Sequence, residues 1–489
     1  MIATESKTGT ISYYINGAWD SPPGRPLHQI TNPATGAVIG EVPYADESDI
    51  GRAVGAAHDA FLKWRETPVV DRVQVLYRFK ALLEKHHADV AAVLTRENGK
   101  TMEDAKAETR RAIQMVEMGC GMPSLLMGDS LNDVAAGIDC KTVRQPIGVC
   151  AGITPFNFPA MVPMWMYPFA IACGNTFVLK PSEKVPLTPT FCVELLHDAG
   201  LPPGVLNLVH GSREAVDALL WHPLVKAVSF VGSTPVARYI YTTAAAQGKR
   251  VQALGGAKNH LVVMADADVP KTVEAIIGSA FGAAGERCLA GSVLVAVGDA
   301  AGPLLDLLVK RTKSVAVGDG AQPGIEMGPL VTSDHCQRVA GYIDKGLAEG
   351  ATALVNGRET KPAGSGFGFF LGPTIFDHVT PEMTIAREEI FGPVLSVIRV
   401  KTLDEAIDLV NRSPFGNATS IFTSNGKAAR EYSSRIEVGM VGVNVGVAAP
   451  MAFFPFAGWK NSFFGDLHAH GKDAVAFYTE QKVIMSRWF

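Results

Sequence analysis

One cysteine carries the strongest chemical suggestion in this 489-residue sequence. Cys288 lies in Phe281 to Val297 (FGAAGERCLAGSVLVAV), where small residues lead up to it, Arg287 precedes it and a strand-like run follows. Small neighbours leave room for a ligand to approach. A cation beside the sulfur favours the nucleophilic thiolate over the thiol, whose unperturbed pKa is about 8.5. The competing reading is a buried structural cysteine, the usual fate of a single Cys.

Three further segments have the composition of ligand loops. Gly152 to Pro159 (GITPFNFP) ends a predicted strand, where open α/β sheets place ligands, and the Asn157 amide could donate to a developing oxyanion. In Thr176 to Glu183 (TFVLKPSE) a strand delivers Lys180 and Glu183, a pair able to hold the ribose of a dinucleotide. Ser229 to Ala237 (SFVGSTPVA) joins strand to helix through Gly232 and Ser233, so helix N-terminal N–H groups could meet a pyrophosphate. Each has an ordinary counterpart: a turn asparagine bonding its own backbone, a solvated charged loop, and a plain strand-to-helix turn that lacks the G-x-G-x-x-G fingerprint.

The elements around these segments read as α/β. Ile11 to Trp19 resembles an edge hairpin, and Asp49 to about Gly99 reads as helices, with Ile50, Val54, Ala57 and Phe61 at helical spacing. Apolar runs at Gly148 to Ile153, Thr176 to Leu179, Val205 to Val209 and Ala227 to Val231 alternate with helix-length segments, as in an open parallel sheet. A second series starts near Leu261 and continues at Ser292 to Val297, Leu395 to Val400, Thr419 to Phe422 and Val441 to Val445. The tail from Lys472 to Phe489 alternates apolar and polar residues without a following helix. It reads as a strand that docks elsewhere, on a neighbouring subunit for instance.

Composition removes several function classes. The hydrophobic fraction is 47%, the charged fraction 19% and the net charge -4, so there is no field to collect nucleic acid. Seven cysteines without C-x-x-C pairs or zinc-ligand spacing fit a reducing compartment and imply no metal. Met1 to Tyr14 lacks a basic end and apolar core, so the sequence expectation is a cytoplasmic protein. Gln145 to Leu179 runs 35 residues without a charge, yet Pro155, Pro159, Pro163 and Pro168 would break a spanning helix; buried strands and loops accept them.

Taken in order, FNFP, LKPSE, FVGST, LGGAKN, the Gly-x-x-Cys at Cys288 and EEIFGPV (Glu388 to Val394) resemble the aldehyde dehydrogenase superfamily over nearly the whole chain. The phrases TPFNFPAMVPMWMYPFAIACGNTFVLKPSEKVPLTP, FVGSTPVARYIY, GAKNH and GKDAVAFYTEQKVIMSRW are similar to its CoA-acylating methylmalonate-semialdehyde dehydrogenases. The resemblance implies a Rossmann-like NAD-binding domain (residues 1–122 and 146–253), an α/β catalytic domain (254–450) and a small β oligomerisation arm (123–145 and 470–489), assembling as a homodimer or homotetramer. It implies oxidation of methylmalonate or malonate semialdehyde, loss of CO2, and propionyl-CoA or acetyl-CoA as product, with NAD as cofactor and CoA as co-substrate.

By the same resemblance Cys288 is the nucleophile, and Asn157 joins the Cys288 backbone N–H in an oxyanion hole. Lys180 and Glu183 match the ribose pair, Ser233 the pyrophosphate contact, Glu389 the acid on the nicotinamide ribose, and Phe156 and Phe391 neighbours of the cofactor. A carboxylate at Glu183 would repel a 2′-phosphate, which favours NAD over NADP. The substrate carboxylate asks for a bidentate cation. Arg287 sits beside the nucleophile, and Arg111 in RRAIQMVE matches an arginine placed over the substrate. Against this, Arg111 would be a surface residue paired with Glu108 or Glu117, and Arg110 is the alternative by one register step.

Three departures matter. The hydrolytic branch usually reads E-L-G-G-K, where this chain reads Ala253-Leu254-Gly255-Gly256-Ala257-Lys258. In either alignment Ala253 or Leu254 replaces the glutamate that activates water, so a better nucleophile such as a CoA thiol is required. The proline-rich run after VNV is thinned to Gly446-Val447-Ala448-Ala449-Pro450, and Ala237 stands where many relatives have glycine. The rival expectations are a hydrolytic aldehyde dehydrogenase, with Glu286 or another carboxylate assisting water, and a non-catalytic protein that keeps the fold.

Overall fold

A computed structural model describes residues 9–364 and 367–489; the first eight residues of the Met1 to Tyr14 stretch read above lie outside the described residues. Two large sheets dominate. The first has eight strands in the order Ala18–Asp20, Tyr13–Ile15, Leu206–Leu208, Thr176–Lys180, Val149–Ile153, Val225–Val231, Arg250–Leu254 and Phe463–Phe464. Its five middle strands are parallel, and its margins are antiparallel additions. The central strands Val149–Ile153 and Thr176–Lys180 are buried along their whole length, which explains their unbroken apolar runs.

The second sheet runs Thr352–Val355, Thr374–Asp377, Val394–Val400, Gly291–Val297, Asn259–Val263, Ala418–Phe422 and Met440–Val443. All neighbours are parallel except the first pair. Its core is formed by Val293 to Val297, Leu304, Leu308, Ile375, Leu395 and Val397, with helices Val269–Ala280, Ala301–Lys313 and Ser333–Ala348 over it. Both alternating series read from the sequence are therefore strands, and Ile11 to Trp19 does form the edge hairpin.

Helix Glu47–Trp64 buries Ile50, Val54, Ala57 and Phe61 as their spacing requires. Asp46 starts it through a reciprocal capping box with Asp49, a device worth about 1 kcal/mol. The uncharged segment 145–179 becomes strand, turn, two short helices (Met161–Met164 and Tyr167–Ala172) and strand. Among the described residues no helix is long and apolar enough to cross a membrane.

The C-terminal tail departs from expectation twice. Gly471–Phe477 is a helix, because Ala474, Val475 and Phe477 pack against the first core. Only Thr479–Arg487 is a strand, and it pairs antiparallel with Ile138–Pro146 of its own chain, nine residues against nine. Ser130–Ala135 completes this three-stranded arm.

Candidate active site

Parallel sheets gather ligands at the carboxyl ends of their strands, and here those ends face a shared cleft. Thr154 to Asn157 follow Val149–Ile153, Lys180 ends its own strand, Gly232 and Ser233 follow Val225–Val231, and Gly255 and Gly256 follow Arg250–Leu254. The other side supplies Cys288, His335, Arg338, Glu389 and Phe391. Together they enclose a cavity of about 1650 Å³. Of the residues singled out from the sequence, Phe156, Asn157, Lys180, Glu183, Ser233, Cys288, Glu389 and Phe391 all line it.

Cys288 sits in a turn just ahead of strand Gly291–Val297. Its carbonyl accepts two side-chain amides, from Asn259 at 2.9 Å and Asn417 at 2.8 Å, which fixes the peptide plane that carries the sulfur. The Cys288 N–H donates to no acceptor among the described residues. Asn157 is buried and donates one amide hydrogen to the Glu286 carbonyl at 2.9 Å, so its second hydrogen is unspent. Two free donors therefore stand on the cavity that holds the sulfur, the arrangement an oxyanion hole requires.

The expected effect of Arg287 on the thiol keeps its sign but is outweighed. Burial pushes the Cys288 thiol up to about 12, with the nearby Glu389 carboxylate adding to the rise and Arg287 only partly opposing it. The reason is geometric: the Arg287 guanidinium turns away and binds Asp104 at 2.6 Å. It does not line the cavity, and neither does Arg111, whose Nη1 lies 3.3 Å from Gln114 Oε1 and 2.6 Å from Met451 Sδ. The surface reading of Arg111 also fails. Glu108 is taken by Lys100, Glu117 lies near Lys80, and the exposed neighbour is Arg110, 3.8 Å from Glu84.

The far arm of the cleft has the features of a dinucleotide cradle. Lys180, almost fully buried, lies 3.4 Å from Glu183. Burial lowers the lysine pKa against the pull of Glu183; burial would raise Glu183, but Lys180 and Lys184 hold it below the usual range. Ser233 caps helix Thr234–Ala246, yet its hydroxyl makes no capping bond and remains available beside the first-turn N–H groups. At the other end burial raises Glu389 to about 7, while it accepts the Ala257 N–H at 2.9 Å. Phe391 has φ of 60°, rare for a bulky residue, and is held by His335, whose Nε2 lies 2.7 Å from the Phe391 carbonyl. Its ring meets Phe156 edge-on at 5.7 Å.

Sequence reading missed the support beneath Asn157. Lys100 Nζ donates to the Asn157 carbonyl at 2.7 Å and to Glu108 at 2.5 Å, with both side chains essentially inaccessible. Glu108 in turn accepts the N–H groups of Ala160 and Met161. Breaking such a buried pair costs about 3–5 kcal/mol, so this pair locks the loop. His335 and Asn417 were missed as well, since neither belongs to a local pattern, and Asn259, though part of the LGGAKN motif, was given no role.

The structure also decides two points about water activation. Leu254 belongs to the core that Cys288 packs against, whereas its strand neighbour Ala253 faces the opposite layer. A leucine therefore occupies the side where a base would be needed. Glu286 does not substitute: its carboxyl is buried away from the cavity, accepts the Val331 N–H at 3.2 Å, lies 3.3 Å from His335, and is raised to about 8 by burial.

Comparison with known proteins agrees with this geometry. The chain is 54% identical over 481 residues to a malonate-semialdehyde dehydrogenase of Pseudomonas aeruginosa, covering 98% of this chain and 97% of that one. It is 52% identical over 479 residues to malonate-semialdehyde dehydrogenase 1 of Geobacillus thermodenitrificans, covering 98% and 99%. The crystal structure of methylmalonate-semialdehyde dehydrogenase from Oceanimonas doudoroffii superimposes with a TM-score of 0.97 at 50% identity, covering 98% and 99%. That of a Sinorhizobium meliloti protein described as a putative methylmalonate-semialdehyde dehydrogenase complexed with NAD gives 0.97 at 46%, covering 99% of both chains. The aldehyde dehydrogenase family pattern matches residues 19–484, and the chain belongs to that family.

Proposed function

We propose that the protein oxidises malonate or methylmalonate semialdehyde, with loss of CO2, and transfers the acyl group to CoA, giving acetyl-CoA or propionyl-CoA. Cys288 adds to the aldehyde, and the thiohemiacetal oxyanion is held by the Asn157 amide and the Cys288 N–H. NAD in the cleft supplies the hydride acceptor. Lys180 and Glu183 hold one ribose, Ser233 the pyrophosphate, Glu389 the nicotinamide ribose, and Phe156 and Phe391 flank the nicotinamide end. Arg111 and Arg287 are the proposed ligands of the substrate carboxylate, which requires both side chains to turn into the cavity from the partners they hold here, Met451 and Asp104. The thioester on Cys288 awaits a thiol, so turnover is ping-pong.

The observation that carries the acylating reading is Leu254, an apolar side chain on the side of the sheet facing the core against which Cys288 packs. Without a carboxylate there, water is a poor competitor for the thioester. The domain division given above is part of the proposal; the two sheets support it, although strand Phe463–Phe464 and helix Gly471–Phe477 join the first sheet and its core from outside residues 1–253. The arm exposes Leu131, Val134, Val483, Met485 and Trp488, which supports its reading as the contact of a homodimer or homotetramer. The cytoplasm is the proposed location.

The test incubates purified protein with NAD and either semialdehyde, with and without CoA, following NADH and identifying products by mass. CoA-dependent turnover yielding the acyl-CoA supports the proposal. Sustained NADH formation without CoA, with a free acid as product, overturns it in favour of hydrolysis.

A further inference from the structure

The first turn of helix Ser333–Ala348 grips the chain on both sides of the strained residue Phe391. Arg338 Nη2 donates to the Ile390 carbonyl at 2.6 Å, and His335 Nε2 lies 2.7 Å from the Phe391 carbonyl. One carbonyl belongs to the planar peptide before the Phe391 Cα and the other to the peptide after it. Holding both therefore fixes φ and ψ at that residue.

The grip has a defined proton arrangement. Arg338 Nε lies 3.4 Å from His335 Nδ1. A guanidinium can only donate, so Nδ1 accepts, and the ring proton sits on Nε2, where it meets the Phe391 carbonyl. Burial pushes His335 down to about 4, so the ring is neutral near pH 7 and its two nitrogens keep distinct roles. Thr332, the helix N-cap, accepts the His335 N–H at 3.2 Å and sets where the imidazole starts.

Two glycines close the enclosure. A Cβ on Gly392 would stand 2.6 Å from Val339 of the same helix, and one on Gly285 would stand 2.4 Å from the Gly392 carbonyl oxygen. Gly285 ends the turn ahead of Cys288, in which Ala283, Ala284 and Gly285 have left-handed φ of 49°, 53° and 72°. The Phe391 loop is pressed between helix and turn, and a left-handed phenylalanine persists because its surroundings over-determine it. From this mount the ring faces Phe156 and His335, with centroids 5.7 and 6.3 Å away.

We infer that His335 and Arg338 are positioning residues that hold Phe391 in its left-handed conformation, so that its ring fixes the nicotinamide in place for hydride transfer. This rests on the cofactor placement proposed above. Both residues act through the backbone of Ile390 and Phe391, with no contact to NAD required of either.

The test measures first-turnover NADH formation from malonate semialdehyde at saturating NAD without CoA, so that acyl transfer plays no part. The isotope effect of the aldehyde-deuterated substrate and the NAD dissociation constant from fluorescence titration accompany it. The proteins are the parent, His335→Leu, His335→Gln, Arg338→Met, Phe391→Leu and the double variant His335→Leu/Phe391→Leu. Misplacement by about 1 Å can cost a hundredfold, so His335→Leu and Arg338→Met should slow the first turnover roughly 10- to 100-fold and enlarge the isotope effect. Their NAD dissociation constants should stay within about threefold of the parent, which also reports the fold. His335→Gln keeps a donor and should recover part of the rate. In the Phe391→Leu background, loss of His335 should change the rate less than about twofold, because the ring it aims is gone. Unchanged first-turnover rates in His335→Leu and Arg338→Met overturn the inference. So does a weakened NAD affinity that persists in the Phe391→Leu background, which marks direct contact with the cofactor. If Phe391→Leu itself keeps the parent's rate and NAD affinity, the placement of Phe391 beside the nicotinamide fails, and the inference falls with that reading.

Discussion

Substituting Gly256 by alanine isolates the contribution of Glu389. Gly256 carries no left-handed φ, so alanine adds no backbone penalty. Its Cβ, however, would stand 2.2 Å from Glu389 Oε2, and ordinary contact begins near 3.4 Å, so the carboxylate must retreat by about 1.2 Å. Glu389 is half-buried on the cavity wall and is anchored by the Ala257 N–H at 2.9 Å, so retreat sacrifices that bond. A charge-assisted hydrogen bond is worth about 1.5–3 kcal/mol, a factor of roughly 10 to 100. Gly256→Ala should therefore raise the NAD dissociation constant, read by fluorescence titration, and the KM for NAD by that factor. Adding Glu389→Gln should cost little more, because both act on one carboxylate. An NAD affinity and kcat within twofold of the parent would refute the reasoning, as would fully additive losses.

Leu254→Glu should create slow turnover without CoA, by placing a carboxylate on the Cys288 side of the sheet. Steady NADH release after the first equivalent measures it, and a variant that still stops at one equivalent counts against this placement. Asn157→Ala should lower kcat by about 10²–10³ through loss of one oxyanion donor, with little change in NAD affinity by titration. The His210 ring is fully buried, with neither nitrogen in a hydrogen bond of good geometry among the described residues, and burial lowers it to about 3. Between its unfolded pKa near 6.5 and that value, only the unfolded chain takes up the proton, so stability is lost as pH falls. Between pH 7 and 5 this amounts to about 2 kcal/mol, which His210→Phe should abolish; urea midpoints at the two pH values check it. Parallel pH dependences of parent and variant would contradict the burial argument.

Local patterns carried most of the framework and half of the site. Uninterrupted apolar runs such as Val149–Ile153 mark strands buried on both faces, and short motifs at strand ends mark loops because the sheet delivers them to one cleft. What local reading could not supply is direction. Arg287 adjoins Cys288 in sequence, but the left-handed turn before it sends its side chain to Asp104, so the thiol experiences burial more than the cation. Lys100, His335 and Asn417 act through partners 56 to 129 residues away, beyond the reach of any spacing rule. The helix Gly471–Phe477 escaped for another reason: seven residues with apolar positions 474, 475 and 477 satisfy strand and helix periods alike.

The last strand of the first sheet is made almost at the end of the chain. Phe463–Phe464 pairs with Arg250–Leu254, and the Tyr478 hydroxyl lies 2.8 Å from Ser229 Oγ in the adjacent strand. During synthesis the ribosome therefore releases more than 200 residues after Leu254 before that margin acquires its partner. At the usual 5–20 residues per second the strand edge stays open for roughly 10 to 40 s, an interval in which another nascent chain can pair with it. The cleft on which the chemistry depends is thus completed late, and the C-terminal residues govern when the N-terminal half becomes a finished sheet.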